Sequence, residues 1–338
     1  MFFASDNGSP CPPAIMDALV AANDGFSLSY GADAPMARVR ETIRTLFDAP
    51  KAEVHLVTTG TAANALSLAL YTPPYGAVFC HRHAHIAEDE CGAPEFFTAG
   101  AKLHLIDSPH GKITPQALAQ AMNGAGSSVH SVQPTCLSLT NVTEAGSVYT
   151  AAEVAELAQA AKARGLNVHL DGARFANALA ATKASPADMT WRAGVDVLSL
   201  GGTKNGLLGA EAIVLFDPAK SWELELRRKR AGHLSSKMRF VAAQMEAWFD
   251  AGLWLDLAAH ANAMAQRLKD GLAQIDGAQL LHPVQANIAF ARLPDAAHTR
   301  AKAAGAVYYN MGDGLCRLVC SWCTTPSQVD ALLAAFRG

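Results

Sequence analysis

No charge of one sign dominates this chain: 27 lysines and arginines stand against 30 aspartates and glutamates, a formal net charge of −3 over 338 residues. That balance leaves no basic field to hold nucleic acid and no polybasic arm for a membrane surface. A long apolar span is also missing. Leu56 to Cys80 carries no charge, yet Thr58-Thr59-Gly60-Thr61, Asn64 and Thr72-Pro73-Pro74 interrupt it, so it reads as a buried strand, a turn and a buried helix. The opening Met1-Phe2-Phe3-Ala4-Ser5-Asp6 lacks the basic and apolar regions of a signal peptide. Seven cysteines, an odd count, are expected to be reduced thiols of a cytoplasmic protein. Cys320-Ser321-Trp322-Cys323 has no second CxxC to complete a zinc site, so no metal is expected. No GxGxxG follows an early strand, which excludes a dinucleotide fingerprint, and no repeat or low-complexity tract appears.

What is present is an ordinary globular composition, 50% hydrophobic and 17% charged, long enough for one large domain and a smaller one. Short apolar, β-branched runs predict strands at Val54–Thr59, Ala77–His81, Lys102–Asp107, Val129–Pro134, Asn167–Asp171, Asp196–Leu200 and Glu211–Phe216. Between them lie helical stretches such as Pro115–Met122 and Ala151–Ala163, the latter capped by Thr150 with Glu153 at capping-box spacing and ended by Gly165. Strands alternating with helices predict a mainly parallel α/β sheet. After Phe216 the pattern changes to a helical Trp222–Arg230, a long helical Phe240–Ala273, and strand-like Asn287–Leu293, Gly305–Asn310 and Cys316–Trp322. That reads as a smaller α+β domain. The expected division is an N-terminal segment 1–35, a large domain 36–235 and a small domain 236–338.

Four stretches carry chemistry. In His169-Leu170-Asp171-Gly172-Ala173-Arg174 an apolar strand runs straight into an aspartate. Ligands collect at the carboxyl ends of such strands, and a carboxylate there suits a cationic group such as the protonated pyridine nitrogen of pyridoxal phosphate. Equally, Asp171 reads as a helix cap and Arg174 as a surface charge. The second stretch is Gly201-Gly202-Thr203-Lys204-Asn205-Gly206, again at a strand end. A lysine in a glycine-rich, otherwise uncharged turn is unusual, and a desolvated lysine is an amine nucleophile able to form a Schiff base. The order GxxxxGK[ST] of a nucleotide loop is absent.

Thr58-Thr59-Gly60-Thr61-Ala62-Ala63-Asn64 joins a strand to a helix, whose N-terminal amides suit a phosphate. Finally, Cys80-His81-Arg82-His83-Ala84-His85 sets histidines at alternate positions. Lacking a clear carboxylate or cysteine partner at ligand spacing, they fit an imidazole stacked on an aromatic cofactor better than a metal site.

With these residues in view the chain resembles the threonine aldolase family, in its low-specificity L-threonine aldolase and L-phenylserine aldolase branch. The markers are Ser5-Asp6-Asn7, Tyr30-Gly31 with Pro35, Thr59 to Asn64, His85 with Glu90-Cys91-Gly92-Ala93-Pro94-Glu95-Phe96-Phe97, Asp171 to Asn177, Thr203 to Gly206, and Arg227 to His233. The resemblance implies an aspartate-aminotransferase-like fold with a seven-stranded sheet, active sites at a dimer interface, and a homotetramer built as a dimer of dimers. It implies a pyridoxal 5′-phosphate enzyme that cleaves L-β-hydroxy-α-amino acids to glycine and an aldehyde. Another lyase or an aminotransferase on the same fold is the alternative, and a catalytically silent cofactor-binding protein a more distant one. By position Lys204 would carry the cofactor, Asp171 would pair with its ring nitrogen, His85 would stack on the ring, Gly60 and Thr61 would hold the phosphate, and Thr203 and Arg174 would also contact the cofactor. Ser5, Arg174 and Arg317 match positions that grip a substrate carboxylate. Lys237 or Arg239 would reach the phosphate from a neighbouring subunit, and Tyr30 would cross the same interface. One departure stands out: Thr143 falls where many members carry a histidine near the substrate hydroxyl, leaving His83, His85 or a water as the base.

Overall fold

The computed structural model describes residues 1–338. Seven strands make one sheet: β1 Glu53–Val57, β2 Gly76–His81, β3 Lys102–Ile106, β4 Gln133–Thr140, β5 Asn167–Gly172, β6 Val197–Gly201 and β7 Glu211–Leu215. Their order is β1-β7-β6-β5-β4-β2-β3. β2 to β6 pair parallel, while β7 runs antiparallel between β6 and β1. Parallel pairs need crossovers, and these put helices on the sheet faces. Every residue of β2, β6 and β7 is therefore buried. Buried polar residues inside the sheet are satisfied across it. His169 sits between the Ser138 and Ser199 hydroxyls, each 2.9 Å from a ring nitrogen, and burial pushes its pKa down to about 4, so it is neutral.

The fourth strand is not at Val129–Pro134, as the apolar run suggested, but at Gln133–Thr140. Upstream, the Ser128 carbonyl accepts bonds from the Ser131 hydroxyl and the Gln133 amide, and such local bonds compete with a ladder. The helical Phe240–Ala273 is two helices, Arg239–Phe249 and Leu253–Leu272, separated where Ala251 and Gly252 take φ of 47° and 78°. Helix Ala151–Lys162 has the expected capping box, and Gly165 follows it at φ 76°.

A second, antiparallel sheet has the order β10-β11-β9-β8, with β8 Gln279–Leu280, β9 Ile288–Arg292, β10 Tyr309–Gly312 and β11 Leu315–Val319. Gly305–Asn310 becomes a strand only from Tyr309. Before it, Val307 bridges Phe2, and the Phe3 N–H donates to the Val307 carbonyl at 2.7 Å. The Phe3 carbonyl in turn accepts from Val319 at 2.8 Å. The N-terminal segment thus joins the small sheet, with Phe3 fully buried among Leu268, Leu318 and Phe336. Helix Leu253–Leu272 serves two cores: Trp254, Leu257 and Ala258 pack with the large sheet, Met264, Ala265 and Leu268 with the small one.

These helices pin the turn that follows β6. The Asn205 amide donates to the Trp254 carbonyl at 2.7 Å, and the Trp248 indole N–H donates to the Asn205 carbonyl at 3.1 Å. Trp248 is fully buried, with its ring centroid 5.5 Å from that of Trp254. Trp248→Ala opens a large cavity and unties the turn, so it should cost about 3–5 kcal/mol in chemical denaturation. A loss below about 1 kcal/mol would show that the indole does not hold the turn in place.

Candidate active site

The carboxyl ends of β1, β2, β5 and β6 open into one hollow. Part of it, ≈ 230 Å³, is walled by Gly60, Thr61, Asn64, His85, Asp171, Thr203 and Lys204 among others. A second part, ≈ 760 Å³, shares Asn7, His85 and Lys204 and adds Ser5, Glu144, Arg174 and Arg317. Lys204 stands between the two.

Thr59 caps helix Gly60–Tyr71, accepting from the Ala62 N–H at 3.2 Å, and this leaves the Gly60 and Thr61 N–H groups without partners in the chain. They point their partial positive charge at the hollow. A Cβ built on Gly60 would meet no atom within 4 Å, so there is room at that end. Asp171 ends β5 buried, accepting from the Ala173 N–H at 3.0 Å and the Asn64 amide at 3.1 Å. The same amide donates to Glu90 at 2.9 Å, and Glu90 accepts from the His85 Nδ1–H at 2.8 Å. Burial raises the Glu90 pKa. The hydrogen bond to Glu90 raises that of His85, against burial and the Lys204 charge. With Nδ1 engaged, the His85 Nε2 is left for the cavity. Lys204 is half-buried and makes no ion pair.

The residues expected to grip a substrate carboxylate are arranged less simply than their types suggest. Arg174 spends its Nε and one Nη on a buried bidentate pair with Asp6, at 2.7 and 2.9 Å. Its other Nη lies 3.9 Å from Glu144, and Arg317 approaches the same oxygen at 3.8 Å. Arg317 therefore has the more open fork. Burial works against the Arg174 charge, but Asp6 and Glu144 outweigh it and raise its pKa. Arg174 and Lys204 hold Asp6 below the usual carboxylate range despite burial; with Arg317 they do the same for Glu144. Ser5 lines the hollow, with its hydroxyl accepting from the Asn7 N–H at 3.1 Å.

Thr143 does not face the cavity. It is buried, bonded to Ser147 at 2.8 Å and to the His110 carbonyl at 3.4 Å, and its neighbour Glu144 is the wall residue instead. Of the other imidazoles, His83 lines the outer rim of the larger part, exposed and paired with Glu88 at 2.8 Å. Lys237 and Tyr30 are exposed and not among the residues that line either part. Sequence reasoning missed Asp6, Asn64, Glu90, Glu144 and Glu211 as working side chains, although the first three lie within stretches it had singled out and Glu144 follows Thr143 directly.

A model of the beta-eliminating lyase family matches residues 3–295. A low specificity L-threonine aldolase from a Pseudomonas species is 41% identical over 99% of this chain and 96% of that protein. One from Pseudomonas aeruginosa is 40% identical over the same shares. Among solved structures, a threonine aldolase from Leishmania major superposes with a TM-score of 0.92 at 29% identity, covering 99% and 98% of the two chains. A serine palmitoyltransferase from Sphingomonas wittichii shares the fold, with a TM-score of 0.73 at 15% identity over 100% and 86%.

The His85–Glu90 contact is directly measurable. Glu90→Gln removes the main influence that raises the imidazole and leaves burial and Lys204, which lower it, opposed only by the smaller pull of Asp171. The His85 titration midpoint, followed by NMR, should therefore fall in the variant; an unchanged or higher midpoint would contradict the pairing.

Proposed function

The chain belongs to the beta-eliminating lyase family, among its threonine aldolases, and from that premise we propose that it cleaves L-β-hydroxy-α-amino acids to glycine and an aldehyde with pyridoxal 5′-phosphate. Threonine, allo-threonine and phenylserine are the proposed substrates. The observation that carries this is the convergence of an unpaired amine, Lys204, a buried carboxylate, Asp171, and the open helix N-terminus at Gly60 on one cavity.

The residues present fit the cofactor. The Gly60 and Thr61 amides and the unpartnered, buried Thr203 hydroxyl suit a phosphate. Asp171 keeps lone pairs free beyond its two bonds, enough to hold a proton on a ring nitrogen. His85 would lie against the ring, fixed by Glu90. When bound, pyridoxal phosphate supplies an aldehyde that condenses with amines and a protonated ring that accepts an electron pair.

The chain's own residues do the rest. Arg317, with the free Nη of Arg174 behind it, binds the substrate carboxylate and fixes its orientation. Ser5 lines the same part of the cavity. Glu144, standing between those arginines, gives way to that carboxylate. The His85 Nε2 is the proposed acceptor for the β-hydroxyl proton: Thr143 is turned away, His83 is exposed and held by Glu88, and His85 alone of the three also lines the part with Lys204 and Asp171.

A homotetramer, as a dimer of dimers, is proposed for the assembly. Phe26, Leu28 and Tyr30 lie exposed near one another in sequence, as a subunit contact requires. Lys237 is then offered to a neighbour's phosphate site. The division into 1–35, 36–235 and 236–338 is retained as a proposal, with helix Leu253–Leu272 shared. All seven cysteines are unpaired, which supports a cytoplasmic location, and no helix is long and apolar enough to cross a membrane.

A panel of L- and D-β-hydroxy amino acids, assayed for both aldehyde and glycine, tests the reading. Release of the two in equal amounts from the L-isomers is expected. Amino transfer to a keto acid without aldehyde would favour an aminotransferase and overturn it.

A further inference from the structure

One wall of the phosphate cup has the wrong sign for an anion. Glu211 opens β7, in register with Val57 of β1 on one side and Gly201 of β6 on the other. Its side chain therefore sits between the strand end that leads into helix Gly60–Tyr71 and the one that leads into the lysine turn. It is 5% exposed and lines the smaller part of the cavity with Gly60, Thr61, Thr203 and Lys204.

No ion pair stabilises this carboxyl. The Thr203 N–H donates to it at a long 3.4 Å, and the Thr203 hydroxyl and the Gly202 N–H lie near enough to favour its charged form weakly. The charged groups facing the same space are Lys204 from the turn, Asp171 from β5 and His85 from the segment after β2. The helix contributes Asn64, and the end of β1 leads into Thr58 and Thr59, all without charge. Burial lifts the Glu211 pKa to about 7, against the opposing pull of Thr203 and Lys204. A doubly charged phosphate entering beside it adds a second negative group in a poorly solvated space. That favours the neutral acid further, and the neutral acid has an O–H to give.

We propose that Glu211 is a proton-carrying wall of the phosphate site: as a phosphate enters, the carboxylate takes a proton from solvent and donates it in a hydrogen bond to a phosphate oxygen. This rests on the reading of the cup as the cofactor's phosphate site. Glu211 is a positioning residue in this scheme, because it touches the anchor of the cofactor and not the reacting atoms. Its consequence is that the enzyme loses hold of its cofactor as the solution becomes alkaline.

The test uses the full-length protein stripped of cofactor and 4′-deoxypyridoxine 5′-phosphate, which has the ring and phosphate but no aldehyde. Calorimetry in buffers of different ionisation enthalpy counts the protons taken up on binding. Near pH 8 the wild type should take up roughly one proton more than Glu211→Gln. Above its midpoint of about 7, wild-type affinity should fall about tenfold per pH unit relative to that variant. A residue that merely shapes the cup would alter affinity without altering proton uptake. Equal uptake and parallel pH profiles, with the ligand still bound, would overturn the proposal. Failure of both proteins to bind the ligand at any pH would instead refute the cup as a phosphate site. If Glu211→Gln does not fold, Glu211→Ala, also neutral, gives the same comparison.

Discussion

A hydrogen-bonded row of four side chains, Asp171–Asn64–Glu90–His85, holds the chemistry of this cavity together. It ties the end of β5 to the helix after β1 and to the segment after β2, three stretches far apart in sequence. Each link depends on the next. Asn64 spends both amide hydrogens on carboxylates, so it fixes Asp171 and Glu90 at once. Glu90 then settles which His85 nitrogen carries a proton and which is left free. In a buried setting such a network is stiffer than its separate bonds, and breaking one member strands the others without water to replace it. The arrangement sets the two groups expected on a flat cofactor, the carboxylate at its ring nitrogen and the imidazole at its face, without relying on the cofactor to assemble them.

A second network sets the charge of the larger part of the cavity, the part proposed to take the substrate. Asp6, from the N-terminal segment, neutralises Arg174, and Asn287 also donates to Asp6 at 3.0 Å. The pair is buried, so either partner alone would be a stranded charge. That makes the N-terminal segment part of the site wall, held there by the Phe2–Val307 bridge and the Phe3 bonds to the small sheet. Glu144 faces both arginines without a hydrogen bond to either, which balances their charge and, on the proposed reading, leaves them open to a competing carboxylate.

What was legible in the sequence was local. The apolar runs into Asp171 and Lys204 announced strand ends, and Thr59-Gly60-Thr61 announced a helix N-terminus, because each signal lies within a few residues. The seven-stranded sheet followed from the same alternation. The fourth strand was displaced because Val129 and Val132 are apolar but lie in a serine- and glycine-rich turn, where local hydrogen bonds win. The break at Asp250–Gly252 was hidden by continuous helical patterning on both sides. Contacts between distant segments were not legible at all. Nothing around Asp6 signals Arg174, 168 positions away, and Glu90 reads as a surface acid until Asn64 and His85 are placed against it. Glu211 was read only as the first residue of a strand, since its burial follows from strand pairing rather than from its neighbours.

The central claim is that the Lys204 amine is the attachment point of the cofactor, and chemical trapping tests it most directly. Protein loaded with pyridoxal phosphate is reduced with borohydride, digested and mapped by mass spectrometry. The account predicts a phosphopyridoxyl group on the peptide containing Lys204, and none at that position in Lys204→Ala. A label on another lysine, or equal labelling of wild type and variant, would contradict it.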